Sequence, residues 1–154
     1  MRVGLISDTH GLLRNEALRA LEGCALILHA GDVGKPEIVD KLQEVAPVVV
    51  VRGNVDTGSW AAAWPETAVA EAGAVLFYVL HDVHALDLDP AAAGFHIVVS
   101  GHSHKPGQSK HHGVLYINPG SAGPRRFRLP ITVGRLDLEI TPWQAEFVEL
   151  GARE

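Results

Sequence analysis

Short apolar runs, each ended by a polar or glycine-bearing segment, organise this chain. Val3–Ile6, Ala25–Leu28 and Val48–Val51 are rich in Val, Leu and Ile and too short for helices, so they predict strands. Val48–Val51 is apolar at every position, the pattern of a strand covered on both faces. Two stretches of helical spacing lie between these runs. Asn15–Leu21 carries Ala17, Leu18 and Leu21 and is followed by Gly23; Pro36–Val45 puts Pro36 in its first turn and Ile38, Val39, Leu42 and Val45 on one face. The order βαβαβ predicts a mainly parallel sheet with helices packed on it.

After Asp56 the pattern changes. Thr57–Pro65 reads as a loop carrying Trp60 and Trp64. Thr67–Glu71 and Val75–Leu80 predict a strand pair turning at Ala72-Gly73. Leu86–Ala93 reads as a short helix, Ile97–Val99 and Gly113–Ile117 as strands, and Ile131–Ile140 with Trp143–Leu150 as a closing antiparallel pair around Thr141-Pro142. No repeat, low-complexity tract or linker divides the chain. The expectation is one α/β domain over residues 1–154, its second half richer in antiparallel strands.

Composition narrows the class. The chain is 47% hydrophobic and 20% charged, ordinary for a globular protein. Its formal net charge of -5 argues against a surface that coats nucleic acid, but not against a small phosphorylated substrate meeting a local cation. Cys24 is the single cysteine, so no intramolecular disulfide forms and a reducing compartment is expected. The N-terminal segment turns polar too soon for a signal peptide, and no apolar run is long enough to span a bilayer. The expected location is cytoplasmic, with no membrane partner.

The chemistry sits where the strands stop. Val3–Ile6 runs into Ser7-Asp8-Thr9-His10, Ala25–Leu28 into His29-Ala30-Gly31-Asp32, and Val48–Val51 into Arg52-Gly53-Asn54; Val75–Leu80 is followed by His81, and Ile97–Val99 by Ser100-Gly101-His102-Ser103-His104. In open α/β sheets, sites form at the carboxyl ends of strands, so these five ends can converge. Asp and His are common ligands of divalent first-row metals, and Asn can add a carbonyl oxygen. The set Asp8, His10, Asp32, Asn54, His81, His102 and His104 is too large for one ion. Two divalent ions sharing Asp32 as a bridge would use it. Two such ions bring four positive charges against the two carboxylates, leaving an excess that attracts a phosphate anion. A pair of ions about 3.5–4 Å apart lowers the pKa of water and clamps attacking and leaving oxygens, so a shared hydroxide attacking phosphorus in line is the expected reaction. His29 reads as a packed, hydrogen-bonded histidine rather than a ligand. Arg52 and Arg125 could grip a phosphate.

These motifs together resemble the calcineurin-like metallophosphoesterases. The blocks are Ser7-Asp8-Thr9-His10-Gly11, His29-Ala30-Gly31-Asp32, Arg52-Gly53-Asn54-Val55-Asp56, His81 and Gly101-His102-Ser103-His104, in the family's order. Asn118-Pro119-Gly120-Ser121 followed by Pro124-Arg125 is similar to the small prokaryotic, YfcE-type phosphodiesterase branch. The resemblance implies a four-layer αββα sandwich of two mixed sheets flanked by helices. It implies one ion held by Asp8, His10, Asp32 and His104 and another by Asp32, Asn54, His81 and His102. It implies phosphodiesterase activity on aryl esters with manganese or nickel favoured, although such a donor set also accepts zinc, iron or magnesium.

Two departures stand out. Val55 occupies the position where many family members carry a His that helps protonate the leaving group. The metal-binding His81 is commonly followed by Gly and a second His, whereas here the run is His81-Asp82-Val83-His84. The candidate catalytic set is therefore Asn54 and His81, with Asp56 and His84 as substitute proton donors. A phosphomonoesterase or nucleotidase, and a non-catalytic binding scaffold on the same fold, are the alternatives. Trp60 and Trp64 either wall the substrate or pack at a homodimer interface.

Overall fold

The computed structural model describes residues 1–151. Its first half alternates as the apolar pattern predicts: β1 Arg2–Ile6, α1 Asn15–Ala20, β2 Leu26–His29, α2 Pro36–Gln43 and β3 Val48–Val50. The second half supplies β4 Thr67–Ala72, β5 Val75–Leu80, α3 Pro90–Ala93, β6 Ile97–Val99, β7 Gly107–His111, β8 Val114–Asn118, β9 Thr132–Asp137 and β10 Glu146–Glu149. One five-stranded sheet has the order β10-β9-β1-β2-β3, with β1, β2 and β3 parallel and β9 and β10 antiparallel. The other has the order β4-β5-β6-β8-β7, with a parallel β5-β6-β8 centre and an antiparallel strand at each edge.

Side-chain alternation explains how the layers stack. Val3 and Leu5 of β1, Leu28 of β2, Phe77 and Val79 of β5, Ile97 and Val99 of β6, and Leu115 and Ile117 of β8 form one core between the two sheets. The opposite faces of β1, β2 and β9 turn Ile6, Ile27 and Val133 toward Ala17 and Leu21 near α1 and Ile38, Val39 and Leu42 of α2. Gly4 is needed there, because a Cβ at this position would meet Leu21 at 2.6 Å. The outer face of the second sheet carries Tyr78, Leu80, Val98 and Val114 under Leu86, Leu88 and Phe95. The αββα layering expected from the resemblance is present, and its fourth layer is thin.

Three elements differ from the pattern reading. The continuous valines of β3 form an edge strand, only half-buried, rather than a strand enclosed on both faces. Leu86–Ala93 is not one helix: a 3₁₀ turn covers Val83–Ala85, and α3 begins at Pro90. Proline suits a first helical turn and breaks a helix interior. Asp89 caps the first turn by accepting from the Ala91 and Ala92 N–H groups, and Gly94 ends it at φ 88°. Strand β7, Gly-Gln-Ser-Lys-His, has no apolar alternation and forms through its backbone ladder with β8.

Phe77 is fully buried in the inter-sheet core. Phe77→Ala should therefore lower stability by about 3–5 kcal/mol in denaturant unfolding; a loss below about 1 kcal/mol would contradict this core.

Candidate metal centre

The parallel strands β1, β2 and β3 of one sheet, and β5 and β6 of the other, end at the same place. Backbone bonds continue the pairing past the strand ends: Asp8 N–H donates to Gly31 O at 3.0 Å, His10 N–H to Asp32 O at 2.9 Å, and Gly101 N–H to His81 O at 2.9 Å. Each ligand-bearing loop is thus registered against its neighbour before any side chain acts.

The side chains share one design. Asp8 is fully buried; its Oδ2 accepts from Ser7 Oγ at 2.7 Å and from the His102 N–H at 3.1 Å. Its Oδ1 has no hydrogen-bond partner and lies 3.4 Å from His104 Nε2, 3.6 Å from His10 Nε2 and 3.8 Å from His81 Nε2. Asp32 Oδ1 accepts from the Val55 N–H at 3.0 Å, and its Oδ2 lies 3.1 Å from His81 Nε2 and 3.6 Å from His10 Nε2. His81 Nδ1 donates to Ala30 O at 2.8 Å, which fixes the tautomer and leaves Nε2 facing the carboxylates. His10 and His104 oppose their Nε2 atoms at 3.3 Å. Two overlapping donor groups result, Asp8-His10-His104 and Asp8-Asp32-His81, with ligand atoms within 4.8 Å of one another in each. A buried carboxylate oxygen and a buried imidazole nitrogen, both unpartnered and aimed at one point, fit a divalent cation.

The backbone is bent to achieve this. Asp8, His10, Asp32, His102 and His104 all have left-handed φ values, 56°, 46°, 56°, 71° and 63°. Such conformations cost of order 1–3 kcal/mol each and persist where surrounding structure imposes them. Two glycines give the carboxylates room. A Cβ on Gly53 would collide with Asp32 N and Oδ1, and a Cβ on Gly101 with Ser7 Oγ and Asp8 Oδ2.

Electrostatics follow from the contacts. Burial alone would raise the Asp8 carboxyl, but the His10, His104 and Ser7 groups around it outweigh burial and hold it well below the usual carboxylate range. Asp32 is likewise held down, its burial offset by His81 and the Val55 N–H. Burial disfavours charge on His81, yet Asp32 and Asp8 raise its pKa overall. His29 is different. Burial pushes it down to about 4. Its Nδ1 accepts from the Gly31 N–H at 3.1 Å, so Nε2 carries the hydrogen and meets Thr9 Oγ1 at 3.1 Å. As expected, it packs behind the site and props both ligand loops.

The remaining sequence candidates are dispersed. Asn54 and half-buried Arg52 line, with Gly53, His81 and Asp82, a cavity of about 350 Å³ beside the carboxylates. Arg52 pairs with Glu66 at 3.2 Å. His102 is 47% exposed at the rim, its Nε2 3.8 Å from Asp82 Oδ2. His84 is 90% exposed and turns toward Asp82 rather than the cluster. Asp56 is 2% exposed and accepts three backbone N–H groups, from Val33, Gly34 and Gly53. Arg125 is exposed on the loop after Gly123. The pattern reading overlooked Ser7 and Asp82; only their adjacency to Asp8 and His81 signals them. Asn118 supports the site from behind, donating to Gly101 O at 2.9 Å and Ser103 Oγ at 3.0 Å.

Residues 1–141 match the model of the calcineurin-like phosphoesterase superfamily domain. The chain is 30% identical to a probable metallophosphoesterase of Methanothermobacter thermautotrophicus, over 99% of this chain and 94% of that protein. It is 26% identical to a phosphodiesterase of Methanocaldococcus jannaschii, over 90% of this chain and 94% of that one. The solved structure of an archaeal phosphodiesterase superposes with a TM-score of 0.80 at 24% identity, covering 96% of this chain and all of the other.

Two outcomes follow from the geometry. The unfolded chain protonates His29 near pH 6.5 and the folded one only near pH 4, so stability is full above 6.5 and falls as pH drops through that window. The loss for metal-free protein should approach about 3 kcal/mol; His29→Gln should flatten the slope in pH-dependent denaturant unfolding, and an unaltered slope would refute it. Asp56→Ala strands three backbone donors and should cost about 3 kcal/mol or more in the same measurement. A residue serving only to donate a proton would leave stability untouched.

Proposed function

The chain belongs to the calcineurin-like phosphoesterase superfamily, and from that premise we propose that it is a dinuclear-metal-dependent phosphodiesterase. The observation that carries the reading is the pair of donor groups that share Asp8, whose Oδ2 is tethered by the His102 N–H and whose Oδ1 has no hydrogen-bond partner, with Asp32 in the second group held through Oδ1 by the Val55 N–H and facing His81 through Oδ2. Asp8, His10, Asp32 and His104 would hold one ion, and Asp32, Asn54, His81 and His102 the other. Bound divalent ions supply a strongly acidified water and Lewis-acid stabilisation of phosphoryl oxygens.

The chain's own residues do the rest. The Ala30 carbonyl keeps the His81 Nε2 lone pair toward the site. Asn54 and Arg52 face the adjoining cavity, where a guanidinium already paired to one carboxylate can also meet an incoming anion. Val55 is 46% exposed at the rim and offers no proton. With Asp56 engaged by three N–H groups, we assign it to holding the Asp32 and Asn54 loops together rather than to acid catalysis. His84 lies off the cluster, bonded to Asp82. The site therefore suits esters whose leaving group departs without protonation, such as aryl diesters.

The test is to strip the protein with chelator, restore manganese, nickel, magnesium or zinc, and compare an aryl phosphodiester with its monoester. The expected result is metal-dependent hydrolysis faster on the diester. Asp32→Asn should reduce it by at least about 100-fold, beyond the range typical of outer-shell changes. Absence of hydrolysis with every metal would overturn the reading and favour a binding scaffold.

A further inference from the structure

Residues 122–130 form a loop closed at its base and rooted on the metal centre. Ser121 and Ile131 form a bridge, and Thr132 N–H donates to Ser121 O at 2.9 Å. Ser121 Oγ donates to Asp8 O at 3.0 Å, and Ala122 N–H to Ser7 O at 3.0 Å. Gly123 lies so close to the ligand segment that a Cβ there would meet Asp8 O at 2.6 Å. From this root the chain runs Pro124-Arg125-Arg126-Phe127-Arg128, all exposed.

The Leu129 N–H donates to Arg126 O at 3.2 Å and closes a turn around Phe127, and two features of this loop face solvent. Phe127 is 86% exposed, with a left-handed φ of 57° that an aromatic residue rarely adopts. Arg125, Arg126 and Arg128 make no ion pair among the described residues, although the chain as a whole is acidic. An aromatic face amid unpaired guanidinium groups is the combination that holds single-stranded nucleic acid: bases stack on the ring, and phosphates meet the arginines. Phe127 is four residues beyond Gly123, so the chain can carry it at most about 14 Å from the ligand backbone.

We propose that this loop binds the nucleotide next to the scissile phosphate, and that the substrate is a short single-stranded oligonucleotide. The assignment rests on the phosphodiesterase reading and names its substrate class. An overall charge of -5 excludes a coating surface, not a single local contact of this kind.

The experiment is fluorescence anisotropy of a labelled oligothymidylate with the chelator-washed full-length protein, where no hydrolysis intervenes. The intact chain should bind it. Phe127→Ala should weaken binding about five- to hundredfold. The triple variant Arg125→Ala/Arg126→Ala/Arg128→Ala should reduce the slope of log affinity against log salt by about 2. Unaltered thermal melts of both variants would confirm that they fold. Binding equal in all three proteins would overturn the proposal, as would binding to phosphatidylserine vesicles but not to the oligonucleotide. If the intact protein hydrolyses an aryl diester yet ignores the oligonucleotide, only the loop assignment falls; if it binds the oligonucleotide but hydrolyses nothing with any metal, the enzymatic reading falls and takes the substrate assignment with it.

Discussion

Asp8 is completely buried and ionised, and one of its oxygens has no hydrogen-bond partner. A lone buried carboxylate is among the costliest groups a protein can carry. Here the cost is met in two parts. Ser7 and the His102 N–H donate hydrogen bonds to one oxygen, and three imidazole nitrogens gather around the other. Because the His102 N–H comes from the second sheet and the Ala30 carbonyl that orients His81 comes from the first, the same bonds clamp the two sheets together at their carboxyl ends. Placement of the sheets and placement of the ligands are one constraint.

That constraint explains the local backbone. Five donors in left-handed conformation cannot arise from local preference, since Asp and His enter this region rarely and at a cost. They are held by loop-to-loop hydrogen bonds from the Gly31, Asp32 and His81 carbonyls, by His29 behind the first two loops, and by Asp56 beneath the second and third. Glycine at positions 53 and 101 is the complement, leaving space that a carboxylate fills. The inter-sheet core of Leu5, Leu28, Phe77 and Val99 provides the rigid base from which these loops bend.

Much of this was legible in the chain. Runs such as Val3–Ile6 and Ile97–Val99 mark strands because buried parallel strands are apolar throughout, and the polar residues that follow mark the site. What stayed hidden depends on contacts made far apart in sequence. Strand β7 is polar because it lies at an edge and borrows its ladder from β8. The edge position of β3 is set by topology, not by its valines. Asp56 resembles any other carboxylate near a motif; only its three backbone donors distinguish a clasp from an acid. Arg125 was visible as a phosphate-binding candidate, whereas the exposure of Phe127 beside it was not.

The tethered carboxylates and imidazoles are proposed to form a pair of adjacent cation sites. A crystal grown with manganese, with data collected at the manganese absorption edge, addresses it most directly. Two anomalous peaks per chain are expected about 3.5–4 Å apart, one beside His10 and His104 and one beside His81, with Asp32 between them. A single peak, or peaks remote from Asp8 and Asp32, would contradict it.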